Sequence, residues 1–482
     1  MNSPDLAGLA NVRALLDRVG SFEFDLVQYL QSLKYADYLS SRAKLYQRYQ
    51  DGVIPGPLTK DALLRELRRS LVGTVPAYHH YGSVARFDDL PLISKRDLQV
   101  DGHPLVRRGA GGEAAGDNLW QAMTFGTTTA PVSVFYSPAF YFEYLTLTLW
   151  KLAYRFRDGA RDGARDGARD SGARDSGAPG NAAAVFALCI DDNVERPEFV
   201  TLDPSGVTGV TIRVFVDPMR GESLARAFSL IRETRPAVVA TRPSLYEALM
   251  AYARMEKVSL DAGTRCVFSA GSFLTDETRK EVGRVFGAPV LGCYGLAEFG
   301  YSAGECEHLC GYHIDETSVL IELLDPEGRP APDGAEGEVV LSSTVNDAMP
   351  LIRFRTGDYS VIDRDHCRCG FRGPRLRYIK GHGPFHFRFS DGTLLHPGRL
   401  YPVAWLFPVR DFQVVEEAPG ALHVRIDPDP AAPRDLADRI ATYVRETAPS
   451  ASDVRVSISK VQVEGRFERF KSAVPGSLIG RD

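Results

Sequence analysis

Three patterns along the chain predict an α/β protein with a large N-terminal part, built on parallel sheets plus a β-rich subdomain, and a small C-terminal α+β domain. Short apolar runs alternate with helical periodicity between residues 183 and 293. Strand–turn–strand patterning takes over between 317 and 362, and the last stretch reads strand, strand, helix, strand. Strand–helix alternation is the signature of a parallel sheet covered by helices on both faces. Successive strands joined by glycine turns indicate an antiparallel or barrel-like unit.

From residue 21 to 50 apolar and aromatic residues recur at helical spacing (Phe24, Leu26, Tyr29, Leu30, Leu33), and 61–71 repeats the pattern, so the chain opens with a helical layer. In Leu90-Pro91-Leu92-Ile93-Ser94 the proline forces an extended entry and Ser94 can cap a short helix. After Pro138 comes a helix rich in aromatics, then a slipped Arg-Asp-Gly-Ala repeat over 157–178. Glycine, alternating charge and almost no apolar content cannot offset ordering entropy, so this repeat is expected to be a disordered surface loop.

Beyond it the expected elements are strands 183–190 and 207–216, helix 222–234, strand 237–240, helix 244–255, strand 266–270, helix 276–286 and strand 290–293. The C-terminal domain should contain strands 411–415 and 422–426, helix 434–446 and strand 454–458. The boundary falls at residues 381–384, giving an N-terminal domain 1–381 and a C-terminal domain 382–482.

At 482 residues the chain is too long for one compact core, while 44% apolar and 25% charged residues are ordinary for a globular protein. A net charge of −5 shows no basic excess of the kind that nucleic acid or anionic membranes select, which leaves a small molecule as the expected partner. Seven sparse cysteines and a start lacking a charged and apolar leader point to a reduced, cytoplasmic setting. No apolar stretch approaches the roughly 20 residues of a membrane-spanning helix.

Three segments can carry chemistry. Thr124-Phe125-Gly126-Thr127-Thr128-Thr129-Ala130-Pro131 joins two extended runs, and its N–H groups and hydroxyls can wrap phosphate oxygens; a Thr-rich β-turn is the plain alternative. Cys293-Tyr294-Gly295-Leu296-Ala297-Glu298 follows an apolar strand, where an aromatic ring and a carboxylate can stack a base and hold a metal ion, or simply form a strand-end turn with a solvated glutamate. Arg353-Phe354-Arg355-Thr356-Gly357-Asp358 presents an aspartate able to accept hydrogen bonds from sugar hydroxyls, or a paired surface carboxylate.

In this order and spacing the segments resemble the phenylacetate–coenzyme A ligase branch of the adenylate-forming enzymes. Residues 124–131 resemble the family's phosphate loop, Ala270-Gly271-Ser272 its adenine-contacting strand end, 294–298 its Tyr-Gly-x-x-Glu segment and 355–358 its ribose-binding turn; the Leu-Pro-x-x-x-Lys-x-Asp-Leu run at 90–98 also fits. The resemblance implies a mobile C-terminal lid that rotates between two half-reactions. In these, ATP activates a carboxylic acid as acyl-AMP with release of pyrophosphate, and coenzyme A then displaces AMP. It implies nucleotide contacts from Thr124, Gly126, Thr127, Thr128, Ala270, Gly271, Ser272, Tyr294, Gly295, Glu298 and Asp358, with Thr128 and Glu298 on Mg²⁺. A homodimer rests on the resemblance alone.

Three departures stand against that pattern. Thr129 replaces a second loop glycine, Gly381-His382-Gly383-Pro384 replaces a hinge with an arginine, and Gly465-Arg466 replaces the Gly-Lys whose cation reaches the reacting groups. Arg466 or Lys471 then supplies that cation. An amine, a carrier protein or activation of nitrite is the alternative chemistry, and a catalytically silent nucleotide-binding homologue the second alternative.

Four of the seven cysteines form two pairs flanked by histidines, in Cys306-Glu307-His308-Leu309-Cys310 with His313 and in His366-Cys367-Arg368-Cys369. Soft ligands in two short clusters suit a structural zinc, although buried free thiols would give the same spacing. By motif position the resemblance implies Cys306, His313, Cys367 and Cys369 as ligands, with His308 and Cys310 as alternates. Cys189, Cys266 and Cys293 read as core. The rings Phe135, Tyr136, Phe140, Tyr141 and Phe142 read mainly as packing, with one or two lining an acyl pocket. His396, Arg399 and Tyr401 receive no role.

Overall fold

The computed structural model describes residues 23–24, 26–53, 56, 58–109, 119–124, 132–154, 186–191, 198–202, 210–260, 262–271, 274–381, 386–461 and 469–474. The repeat at 157–178, the loop at 125–131, Ser272, residues 382–385 and Arg466 lie outside them. The strands are β1 (Glu23–Phe24), β2 (Trp120–Thr124), β3 (Val132–Tyr136), β4 (Phe186–Asp191), β5 (Glu198–Leu202), β6 (Val210–Phe215), β7 (Val238–Thr241) and β8 (Cys266–Ala270). They continue as β9 (Val290–Leu296), β10 (Gly300–Gly304), β11 (Tyr312–Ile314), β12 (Leu320–Leu324), β13 (Gly337–Ser343), β14 (Leu351–Ser360), β15 (Ile362–Asp363) and β16 (Arg375–Leu376). The last are β17 (Phe387–Arg388), β18 (Leu394–Leu395), β19 (Val409–Ala418), β20 (Ala421–Pro428), β21 (Asp453–Ile458) and β22 (Phe470–Ser472).

An 11-stranded sheet in the order β1-β5-β6-β4-β7-β8-β9-β10-β11-β16-β15 forms the centre. Its middle, β6-β4-β7-β8-β9, is parallel as expected, but β5 and the strands from β10 onward add antiparallel edges. The parallel strands divide their side chains by period two. Leu188, Ile190, Val239, Val267 and Val290 face the helices Gly221–Thr234, Pro243–Met255 and Asp276–Phe286. Ala187, Val238, Cys266, Phe268 and Leu291 face the helices Ala36–Gln50 and Pro138–Tyr154.

Several boundaries match the sequence periodicity because their caps are local. Helix Asp276–Phe286 starts where the Thr275 hydroxyl accepts from the Thr278 N–H and ends at Gly287 with φ 62°. At Ser94 the Asp97 carboxylate accepts from both the N–H and the hydroxyl of the serine. The helical reading of the opening needs correction at Glu23–Phe24, which adds a parallel strand beside Phe199 and Val200. That pairing is set by a segment far along the chain and has no local signal.

Helix Pro138–Tyr154 is fixed above the sheet by a buried ion cluster. Lys151 Nζ lies 2.9 Å from Asp315 and 3.3 Å from Glu143, which in turn takes Arg42 at 3.0 Å. Removing one member strands its partners away from water, a loss of about 3–5 kcal/mol.

β12–β13–β14 form the antiparallel unit expected between 317 and 362. The C-terminal sheet, β21-β20-β19-β22, carries helix Leu436–Thr447 against it, and its apolar face joins the core of helices Gly221–Thr234 and Pro243–Met255. The turn Pro397–Leu400 packs on Pro243–Met255, so close that a Cβ at Gly398 would stand 2.8 Å from the Glu247 Cβ. Among the described residues, no helix is long and apolar enough to cross a membrane.

Candidate active site

Five parallel strands end on the same side, and in such sheets ligands bind beyond the carboxyl ends. There the structure has a cavity of about 400 Å³. Ala270, Gly271 and Gly295–Ala297 form one wall, Tyr144, Leu149 and Tyr301 another, and His396 and Tyr401 reach it from the C-terminal segment. Gly271, at φ +88°, ends β8 in a left-handed turn that a side chain resists, and space is open where its Cβ would be. Gly295 is required by the β9–β10 hairpin: a Cβ there would lie 2.4 Å from the Gly300 carbonyl oxygen.

Tyr294, Glu298 and Asp358 lie behind this wall, outside the cavity lining itself. Tyr294 is buried and its hydroxyl donates to Asp358 Oδ2 at 2.8 Å. Burial and the Asp358 charge hold the phenol well above its usual range, so it stays a donor. The aspartate reaches the tyrosine because β14 is bulged. Glu338 pairs with Tyr359 and Val340 with Arg355, so two steps on β13 span four on β14. The Thr356 hydroxyl donates to the Val339 carbonyl and accepts from the Asp358 N–H, while Arg355 pairs with Glu338, which together aim Asp358 sideways. The chain then leaves through Gly381, where a Cβ would stand 3.1 Å from Asp358 Oδ1.

Glu298 is only 3% exposed, and its Oε1 has no hydrogen-bond partner among the described residues. The solvated-glutamate alternative is thereby excluded. Burial first, and the Asp358 charge in addition, raise its carboxyl above the ordinary value, against the favourable charge of Lys95. A buried carboxylate with an idle oxygen is costly unless a cation or donor meets it.

The other expected residues divide. Thr124 closes β2, whereas Gly126, Thr127, Thr128, Ser272 and Arg466 fall outside the described residues. Lys471 lies on β22 opposite Val415 and does not line the cavity. Cys266 lies in the core as read, and Cys189 and Cys293 are half-buried, packing against the same core cluster while also lining the cavity. None of the five rings at 135–142 lines it; the ring contributed by that helix is Tyr144, one turn beyond Phe140. His396, Tyr401, Arg213, Asp191 and Arg242 also line the cavity, and none has a local spacing signal, because strand order alone assembles them.

On the far side of the β9–β10 hairpin, Cys306, His313, Cys367 and Cys369 present ligand atoms all within 4.8 Å of one another. Cys306 and Cys367 Sγ are 3.6 Å apart, and Cys369 Sγ is 3.8 Å from His313 Nε2. Cys310 Sγ is 2.9 Å from Cys367 Sγ, and His308 points to Glu307 at 3.7 Å. Hydrogen bonding to Cys369 and burial push the Cys306 thiol up, and burial holds Cys367 at about 11.

Residues 205–346 match the family model described as AMP-binding enzyme. The phenylacetate-coenzyme A ligase of Thermus thermophilus is 32% identical over 193 residues, 39% of this chain and 42% of the relative. That of Escherichia coli is 30% identical over 155 residues, 30% of this chain and 35% of the relative. The matches thus span less than half the length of these curated relatives. A solved 2-hydroxyisobutyryl-CoA ligase superposes with a TM-score of 0.49 at 16% identity, covering 90% of this chain and 88% of that one.

Proposed function

We propose that this chain, which carries an AMP-binding enzyme segment and resembles the phenylacetate–coenzyme A ligases over part of its length, is an ATP-dependent adenylate-forming ligase. It activates a small aromatic carboxylic acid as acyl-AMP with release of pyrophosphate, then passes the acyl group to the coenzyme A thiol. The observation that carries this reading is the convergence of Tyr294, Glu298 and Asp358 behind a cavity at the strand carboxyl ends.

In this reading the open space at the Gly271 turn takes a flat base against the wall that Gly295–Ala297 form in front of Tyr294. Asp358, held in one orientation by the tyrosine hydroxyl, accepts from the ribose hydroxyls. Thr127 and Thr128 hold the β- and γ-phosphates, with Thr124 and Gly126 as further nucleotide contacts. The acid's carboxylate oxygen attacks the α-phosphorus, pyrophosphate departs, and the thiolate sulfur later displaces AMP from the acyl carbon. Arg466, or Lys471, supplies the cation that meets the reacting phosphate, after residues 382–482 rotate about the segment following Gly381. Positioning and charge stabilisation suffice, so no protein nucleophile is required.

The idle buried carboxylate oxygen of Glu298 fits a magnesium ion, with Thr128 as companion ligand; bound there, the ion would neutralise phosphate charge. The second cluster fits zinc. Tetrahedral zinc with bonds of about 2.3 Å to sulfur sets two thiolates about 3.8 Å apart, close to the observed 3.6 Å. Cys310, although close to Cys367, stands outside the four residues whose ligand atoms group together. Four protein ligands leave no open position, so the ion is structural. A reducing, cytoplasmic setting suits these thiolates.

The test is ATP–pyrophosphate exchange by the purified chain with magnesium, across aryl, arylacetic and short aliphatic acids and nitrite, without acceptor. Acid-dependent exchange is expected. Its absence in protein shown by calorimetry to bind ATP would overturn the reading in favour of a silent nucleotide-binding homologue. Adding coenzyme A, an amine or a carrier protein to the exchanging acid then identifies the acceptor by the product formed.

A further inference from the structure

Buried phenols in this chain give their protons to acceptors inside the fold. Tyr78 donates to the Pro350 carbonyl at 3.1 Å, Tyr136 to the Ala297 carbonyl at 2.9 Å, Tyr246 to the Phe268 carbonyl at 2.9 Å and Tyr294 to Asp358 at 2.8 Å. Tyr144 differs: it lines the cavity, and among the described residues its hydroxyl meets no hydrogen-bond partner. Tyrosine hydroxyls taken out of water normally find one.

The ring of Tyr144 is held on two sides. It stacks on Tyr136 with centroids 6.1 Å apart and planes at 26°, and it covers the bare face of Gly300, where a Cβ would stand 3.1 Å from Tyr144 Cδ2. Burial above all raises its phenol above the ordinary range, so at neutral pH it stays a hydroxyl. The other groups whose charge reaches the phenol, Arg213, Cys293, Asp191 and Cys189, all line the same cavity. The ring is thus fixed and the hydroxyl faces the cavity.

The neighbouring groups do not supply its partner. Arg213 hydrogen-bonds the Cys189 sulfur and Arg242 engages Asp191, so these charges are already answered within the fold. The Thr148 hydroxyl donates to the Tyr144 carbonyl, and the Thr241 hydroxyl to that of Ile190. Leu149, Ala240 and Phe268 add apolar surface. A hydrocarbon group pressed against the Tyr144 hydroxyl would strip water from it and return no hydrogen bond. A charged group would enter the same surroundings with the nearby charges already engaged, at a larger cost. A neutral hydroxyl meets both conditions, because two hydroxyls pair with either one as the donor.

We infer that Tyr144 is a specificity-determining residue, whose hydroxyl selects an aromatic acid bearing a neutral hydroxyl on its ring. The inference rests on the adenylation reading for the fate of the carboxylate.

The test compares 2-, 3- and 4-hydroxyphenylacetate, each with the methylphenylacetate substituted at the same ring position, which has a similar outline and no hydrogen bond to offer. Calorimetry and ATP–pyrophosphate exchange are run in parallel on the wild type, Tyr144→Phe and Ser244→Ala. Ser244 carries the other lining hydroxyl that has no partner among the described residues. In the wild type one hydroxy isomer should bind about tenfold or more tightly than its methyl counterpart, a ranking that needs no variant. Tyr144→Phe, which keeps the ring and its packing, should erase that ratio, and Ser244→Ala should preserve it. No hydroxy isomer above its methyl counterpart in the wild type overturns the inference, and so does a ratio that survives Tyr144→Phe or vanishes in Ser244→Ala. Exchange that proceeds equally with hydroxy and methyl acids would leave the ligase reading intact and sink this one. Tyr144-dependent preference in binding without exchange would do the reverse.

Discussion

The Tyr294 hydroxyl and the Asp358 carboxylate meet at 2.8 Å, tying the end of β9 to the bulge of β14. The contact fixes the aspartate beside the point where the chain departs through Gly381. If Asp358 holds the ribose and Tyr294 acts through it, the two positions must be coupled. Asp358→Ala should raise the KM for ATP in the exchange assay about 10- to 100-fold, the worth of hydrogen bonds to a charged group. Tyr294→Phe should cost less, roughly 3- to 10-fold, and the double variant should match Asp358→Ala rather than the product of the two. Independent, multiplying effects would show that the tyrosine acts by another route.

Glu298 invites a test in which stability and activity move apart. Its raised carboxyl pKa means that ionisation is disfavoured in the fold, so the buried charge weakens the protein at neutral and higher pH. Glu298→Gln should melt no lower than the wild type at pH 8 without metal, yet lose at least about tenfold in magnesium-dependent exchange. A lower melting temperature at unchanged rate would make the glutamate structural.

How far the sequence speaks for the fold depends on whether the cause is local. Helix Asp276–Phe286 and strand Cys266–Ala270 match their expected bounds because Thr275, Gly287 and unbroken apolar runs mark them within a few residues. Tyr294, Glu298 and Asp358 stand out as motif residues, but their contacts do not: the bulge that turns Asp358 depends on β13, and Glu298 is buried by elements far away in sequence. Cys189 reads as core because its strand is apolar, and only the order β6-β4-β7 turns it towards the cavity.

The cysteine cluster makes a claim about composition. Metal analysis of protein purified without chelator should find one zinc per chain, and Cys367→Ser or Cys369→Ser should lose it together with several kcal/mol of stability. Cys310→Ala should retain the metal, because the four grouped ligand atoms belong to Cys306, His313, Cys367 and Cys369. Loss of zinc on removing Cys310 alone would place that cysteine among the ligands instead.

Glu247 sets a pH dependence where the turn Pro397–Leu400 meets helix Pro243–Met255. The carboxyl is 3% exposed, accepts from the Thr278 hydroxyl and lies 3.8 Å from Arg399. Arg254 favours its charge, Glu281 opposes it, and burial prevails, raising its pKa from 4.5 to about 7. A folded-state pKa above the unfolded value means that the native state binds the extra proton between those limits. The contribution to stability is therefore complete below about pH 4.5 and is lost as pH rises through about 7. At about 1.4 kcal/mol per pH unit the effect is a few kcal/mol at most. Urea titrations at pH 6 and pH 8 should show the wild type weaker at the higher pH, and Glu247→Gln should flatten that difference. Arg399→Met should steepen it by removing a cation that favours the charged form. A Glu247→Gln profile parallel to the wild type would assign the pH dependence to other groups.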